Sequence, residues 1–108
     1  MDSNTIETGR KAAIISYLTL IGLVIAYSMN MDTKNKFTSI HIRQSLGLNI
    51  LFYIIAIFIG YFNSWMVSGP FYVFFVVLWT FGFVNAIQRE YRPIPLVGDY
   101  FQEWFKSI

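Results

Sequence analysis

Between residues 46 and 87 this chain carries no Asp, Glu, Lys, Arg or His, and no other feature restricts its fold as strongly. Two apolar runs fill that interval, "LGLNILFYIIAIFIGYF" at 46–62 and "FYVFFVVLWTFGFVNAI" at 71–87. Each is close to the ~17 residues at which a helix becomes long enough for the hydrocarbon core of a bilayer. A third run, "AAIISYLTLIGLVIAYSMNM" at 12–31, has about 20 residues, enough to rise about 30 Å. The pattern predicts an all-α integral membrane protein with three transmembrane helices. Core helices of a soluble bundle would need a polar face, and residues 71–78 are apolar all round. A cleaved signal peptide accounts only for Arg10, Lys11 and the first run, which exceeds an h-region and is followed by no Ala-x-Ala site.

Composition agrees with lipid as the solvent. Only 13% of the side chains are charged, against about a quarter in an ordinary soluble domain. A chain of 108 residues forms one domain and is too short to rely on core size alone. With no cysteine and a single histidine, it has neither disulfides nor a metal site to reinforce it. A formal charge of +2, with the cations set between apolar runs, does not suit nucleic acid and reads as a topology signal.

The connections follow from their residue types. Residues 1–8 are polar and are expected to fray. "DTKNK" at 32–36 reads as a turn in which Asp32 or Thr33 caps the next helix, which starts ahead of the bilayer. In "NSWMVSGP", Gly69 and Pro70 close one helix and open another, and Trp65 suits the headgroup level. Pro93 and Pro95 stop the third span. Three crossings place Arg10 and Lys11 opposite Lys34, Lys36, Arg43, Arg89, Arg92 and Lys106, so the N-terminus is expected outside a bacterial cytoplasmic membrane and the C-terminus inside. The last segment forms an amphipathic helix at about 98–107. Tyr100, Phe101, Trp104 and Phe105 face the membrane surface, and Asp99, Gln102, Glu103, Lys106 and Ser107 face away. The same stripe would also dock on a neighbouring protein.

On a helix, His41, Ser45, Asn49 and Tyr53 fall one turn apart and form a polar row descending into the second span, flanked by Gln44, with Arg43 pointing elsewhere. Facing lipid, Asn49 would lack partners at a cost of a few kcal/mol, so the row is expected to face protein or water. Candidate partners are the stripe Ser16, Thr19, Leu23, Ala26, Tyr27 and Asn30 in the first span and the patch Gly82, Asn85 and Ala86 in the third. Such a seam either pins the helices together or docks a partner. The spans offer no carboxylate or second titratable group to serve a proton relay, and the sequence shows no pair of buried carboxylates, no Ser or Cys with a histidine at motif spacing, no Gly-rich phosphate loop and no cluster of metal ligands. A non-enzymatic protein without cofactor is expected.

"FTSIHIRQSLGL" and "NAIQREYRPIPLVGDYFQEWFKSI" resemble the two signature regions of a family of small bacterial membrane proteins labelled import component proteins. These are distant relatives of the twenty-kilodalton inner-envelope subunit of the chloroplast protein import translocon. The resemblance rests on His41 and Gln44 ahead of an apolar helix, Asn85 and Ala86 at the end of the last span, Pro93 and Pro95 in the turn, and Gly98 after it. It covers the chain after Lys11. The relatives have four spans, where this chain has apolar length for three and a surface helix. The expected role is an accessory or structural subunit of a larger membrane complex, with protein translocation as the function that the resemblance implies; the partner-binding or helix-packing residues are His41, Gln44, Asn85, Pro95 and Gly98, which the resemblance includes, and Ser45, Asn49 and Tyr53, which the polar row supplies. A homo-oligomeric channel or transporter and a sensor of bilayer state acting through the terminal helix are the competing readings.

Overall fold

A computed structural model describes residues 2–18, 20–61, 65–94, 97–106 and 108. Among these residues there are five helices and no strand: α1 (Ser3–Ser16), α2 (Leu20–Thr33), α3 (Lys36–Ile59), α4 (Trp65–Ile87) and α5 (Gly98–Trp104). Two of them, α3 and α4, are long and apolar enough to cross a membrane, not the expected three.

The run at 12–31 is the one that departs from expectation. It is not one helix: α1 ends at Ser16, and after Tyr17 and Leu18 the chain turns back as α2. Each helix has 14 residues, about 21 Å, short of the ~30 Å core. No proline or glycine marks the break, which is held by contacts from elsewhere in the chain. The Ser16 hydroxyl bonds back to the Ala13 carbonyl at 2.6 Å, which weakens the helix locally. The two carbonyls released at the break are each taken by a distant side chain: Ser45 Oγ donates to Ser16 O, and Trp79 Nε1 donates to Tyr17 O at 2.6 Å. Gly22 completes the fold-back, since a Cβ there would collide with the Ile15 carbonyl.

Residues 3–8 are helical rather than frayed, because Asp2 caps α1 by accepting from the Thr5 N–H at 2.8 Å. Asn35 also reaches α1, with Nδ2 2.9 Å from the Thr5 carbonyl. The α2–α3 turn comes later than expected: α2 continues through Thr33, Lys34 takes a left-handed φ of 47°, and Asn35 rather than Asp32 or Thr33 caps α3 through the Thr38 N–H. Buried Asn30 holds this turn, accepting from the Asn35 N–H at 2.8 Å and donating to Ser39 Oγ at 2.9 Å.

Helix α4 starts at Trp65, upstream of Pro70, so the proline lies inside the helix instead of opening it. Its missing N–H costs α4 one bond near its start. The helix ends as expected at Ile87, in a Schellman turn: Arg89 takes φ 66°, its N–H bonds Ala86 O, and the Glu90 N–H bonds Asn85 O.

The bonds from Thr38 to Gly9 and from Ser45 to Ser16 place α1 alongside α3 and parallel to it, with α2 returning antiparallel. Phe52 against Phe71 and Phe75, and Tyr17 against Gly82, set α4 antiparallel to α3. The result is 48 Å long and 22 Å across. Both termini lie at one end, with Thr5 bonded to Asn35 and Ile108 O within 3.4 Å of Ser39 Oγ. This replaces the expected placement of the termini at opposite ends, which required a third crossing.

Candidate functional site

Where α1, α3 and α4 meet, beneath residues 88–94, the fold buries a cluster of polar side chains centred on His41. The ring is 1% exposed. Its Nε2 lies 2.8 Å from the Glu90 carbonyl and its Nδ1 2.8 Å from the Tyr17 hydroxyl. A carbonyl only accepts, so Nε2 carries a proton; in the neutral ring Nδ1 then accepts from the tyrosine. Phe37 and Tyr17 stand edge-on to the imidazole, at centroid distances of 4.8 and 5.5 Å. One residue thus ties α1, α3 and the segment after α4 together.

Gln44, one turn on, is buried and accepts from the Ile94 N–H at 3.0 Å through Oε1, leaving Nε2 without a partner. Gly98 lets the chain close over it: a Cβ would lie 3.0 Å from Gln44 Oε1 and 2.8 Å from the Pro93 carbonyl carbon. Ser45 is buried on the Ser16 carbonyl. The first two members of the expected row, with Gln44, therefore face protein. The other two do not continue the seam. Asn49 is half-buried and donates to Ser45 O on its own helix, at 2.8 Å, and Tyr53 is half exposed. Asn85 is buried, but its Nδ2 meets no acceptor; its backbone carbonyl accepts from the Glu90 N–H at 2.8 Å. Pro95 and Thr19 lie outside the described residues, as do Ser107 and the side chain of Trp65. Within the first-span stripe, Ser16, Leu23, Ala26 and Asn30 are buried and Tyr27 is exposed.

The terminal helix is shorter than expected, and its aromatic face is divided. Phe101 is buried, its ring seated on Gly47, where a Cβ would collide with it. Phe105 is half-buried, and Tyr100 and Trp104 remain exposed with ring centroids 5.6 Å apart. Helix α5 therefore docks on α3 through half of the face assigned to the membrane. Arg43 holds it there: Nε and Nη2 donate to the carbonyls of Phe105 and Lys106 at 3.2 and 2.9 Å, and Nη1 to Gln102 Oε1 at 3.2 Å. Gln102 Nε2 donates in turn to Ile40 O at 2.8 Å.

Asn30, expected to partner the polar row, holds the α2–α3 turn instead, and Tyr17, Asn35, Arg43, Trp79 and Gln102 carry contacts that sequence reasoning did not assign. Most satisfy backbone groups far away in the chain, a pairing that periodicity does not encode. Gly82 held a usable signal: a Cβ would lie 2.7 Å from the Tyr17 ring, so the small patch of α4 is the seat of that tyrosine.

Below the α1–α2 turn, a groove of about 470 Å³ opens between α3 and α4, lined by aromatic residues including Phe52, Tyr72 and Phe75, with Asn49 and Tyr53 at its side. The polar cluster is internal and joined to backbone, an arrangement suited to clasping segments. No family model, no curated protein and no solved structure matches this chain.

Proposed function

We propose that this chain is an integral membrane protein, with α3 and α4 as its spans, that serves as an accessory or structural subunit of a larger membrane complex. The observation that carries the reading is the bare α3–α4 hairpin. No residue of α3 beyond Leu48 is buried, and Ile57, Phe58, Val73, Val76 and Val77 are each at least 60% exposed. An apolar surface of this kind calls for lipid or partner helices. All eight Lys and Arg residues and all six Asp and Glu residues fall outside 44–88. Basic segments stay cytoplasmic, which favours both termini on the cytoplasmic side of a bacterial inner membrane. Protein translocation is the role that the resemblance to import components supports, through His41, Gln44, Asn85 and Gly98. The clasp around His41 suits a subunit whose own fold is fixed while its hairpin meets others.

A homo-oligomeric channel is the second reading, favoured by the polar groups of Asn49, Tyr53 and Tyr72 in the lining of the groove. Purification in mild detergent followed by mass spectrometry separates the two. A subunit copurifies with a larger, unlike protein, whereas a symmetric oligomer of this chain alone contradicts that reading.

A further inference from the structure

The two ends of the molecule differ in cross-section. Around Gly9 and Thr38, α1, α2, α3 and the last turns of α4 lie side by side, with α5 against α3. Past the contact between Ser16 and Ser45 and the seat of Phe101 on Gly47, α3 and α4 continue as the long helices, α3 for a further ~18 Å to Ile59. From Gly9 to Ser16, α1 descends about 10 Å, less than the ~15 Å of one leaflet's hydrocarbon. The outward face of the short hairpin is apolar as well: Leu18, Ile21, Val24 and Ile25 are all exposed. Four helices thus fill one leaflet where two fill the other. At the wide end Lys11, Lys34 and Lys36 are exposed and have no acidic partner among the described residues, a placement complementary to anionic headgroups.

We propose that this chain is a one-leaflet wedge that recognises curved, anionic bilayers, partitioning to membrane that is convex on the side bearing its termini. The proposal rests on α3 and α4 being spans. Its wedge is the α1–α2 hairpin, not α5. Extra cross-section in one leaflet relieves packing stress where that leaflet is stretched, which is the physical basis of curvature sensing by shallowly inserted helices.

The test uses the full chain, fluorescently labelled and reconstituted into giant vesicles containing phosphatidylserine or only phosphatidylcholine, from which narrow tubes are pulled. With the termini outside, protein density per lipid on the tube should exceed that on the vesicle by about twofold or more, the ratio should fall below one with the termini inside, and the enrichment should be larger in vesicles that contain phosphatidylserine. Tyr100→Ala with Trp104→Ala should leave the enrichment in place. Equal densities in both orientations, or an enrichment that disappears with those two α5 side chains, would overturn the wedge while leaving the spans intact. Protein that washes off the vesicles would remove the membrane reading itself.

Discussion

Helix α3 passes through two environments, and its halves compare directly. From Phe37 to Leu48 it buries nine residues, among them Thr38, Ser39, His41, Gln44 and Ser45; from Asn49 to Ile59 it buries none. The first half meets α1, α5 and the segment after α4 through Thr38, His41, Gln44, Ser45 and Gly47, whereas the second packs on α4 through Phe52 against Phe71 and Phe75. Specificity of fold therefore lies at the charged end. There, polar side chains satisfy backbone groups that have no regular partner, and two tight glycine seats fix the approach of Tyr17 and Phe101. The other end needs only length and apolarity.

Substitutions break or sharpen this contrast. The largest effect is expected for Gly82→Val, which forces Tyr17 away from α4 and from His41 and costs about 2–3 kcal/mol, read as a lowered melting temperature in detergent. His41→Phe keeps a ring but leaves the Tyr17 hydroxyl and the Glu90 carbonyl buried without partners, a loss of about 2 kcal/mol in the same assay. Arg43→Ala removes three bonds to the C-terminal segment, about 1–2 kcal/mol, and should make the chain after Gly98 sensitive to protease while the remainder stays folded.

In the other half the effects should nearly vanish. Asn49→Leu and Ile57→Leu are each expected to change stability by less than about 0.5 kcal/mol, because Asn49 bonds only its own helix and Ile57 faces outward. A large loss for Asn49→Leu alone would extend the clasp down α3. The smallest effect belongs to Asp2, whose carboxyl the Thr5 hydroxyl and N–H hold below the usual carboxylate range. With a depressed folded value, its contribution is present above the ordinary carboxylate pKa and is lost as pH falls through the lowered one. Amide exchange at residues 3–8 should therefore quicken only at strongly acidic pH, and Asp2→Ala should abolish that dependence.

The hairpin was legible in the sequence because it follows from solvent and length: an uncharged interval from 46 to 87 leaves little choice but two long apolar helices. His41 and Gln44 were legible as a polar pair needing partners. The break after Ser16 was not, since Trp79 and Ser45, far along the chain, stabilise it and the residues at the break are ordinary span residues. Tyr17 lies in the run read as the first span, and nothing local marks its hydroxyl as the one that faces His41. Phe101 shared the helical periodicity of Tyr100 and Trp104, yet Gly47 opens a seat for Phe101 alone. Helical spacing shows that side chains share a face without telling which surface that face meets.

Because the chain has no cysteine, sidedness can be read from single introduced thiols. Ser3→Cys, Met66→Cys and Lys106→Cys variants in sealed membrane vesicles, treated with an impermeant maleimide, test directly whether the first apolar run turns back. Labelling of positions 3 and 106 from one side and position 66 from the other is the expected result. Positions 3 and 106 labelled from opposite sides would mean that residues 12–31 cross the bilayer after all.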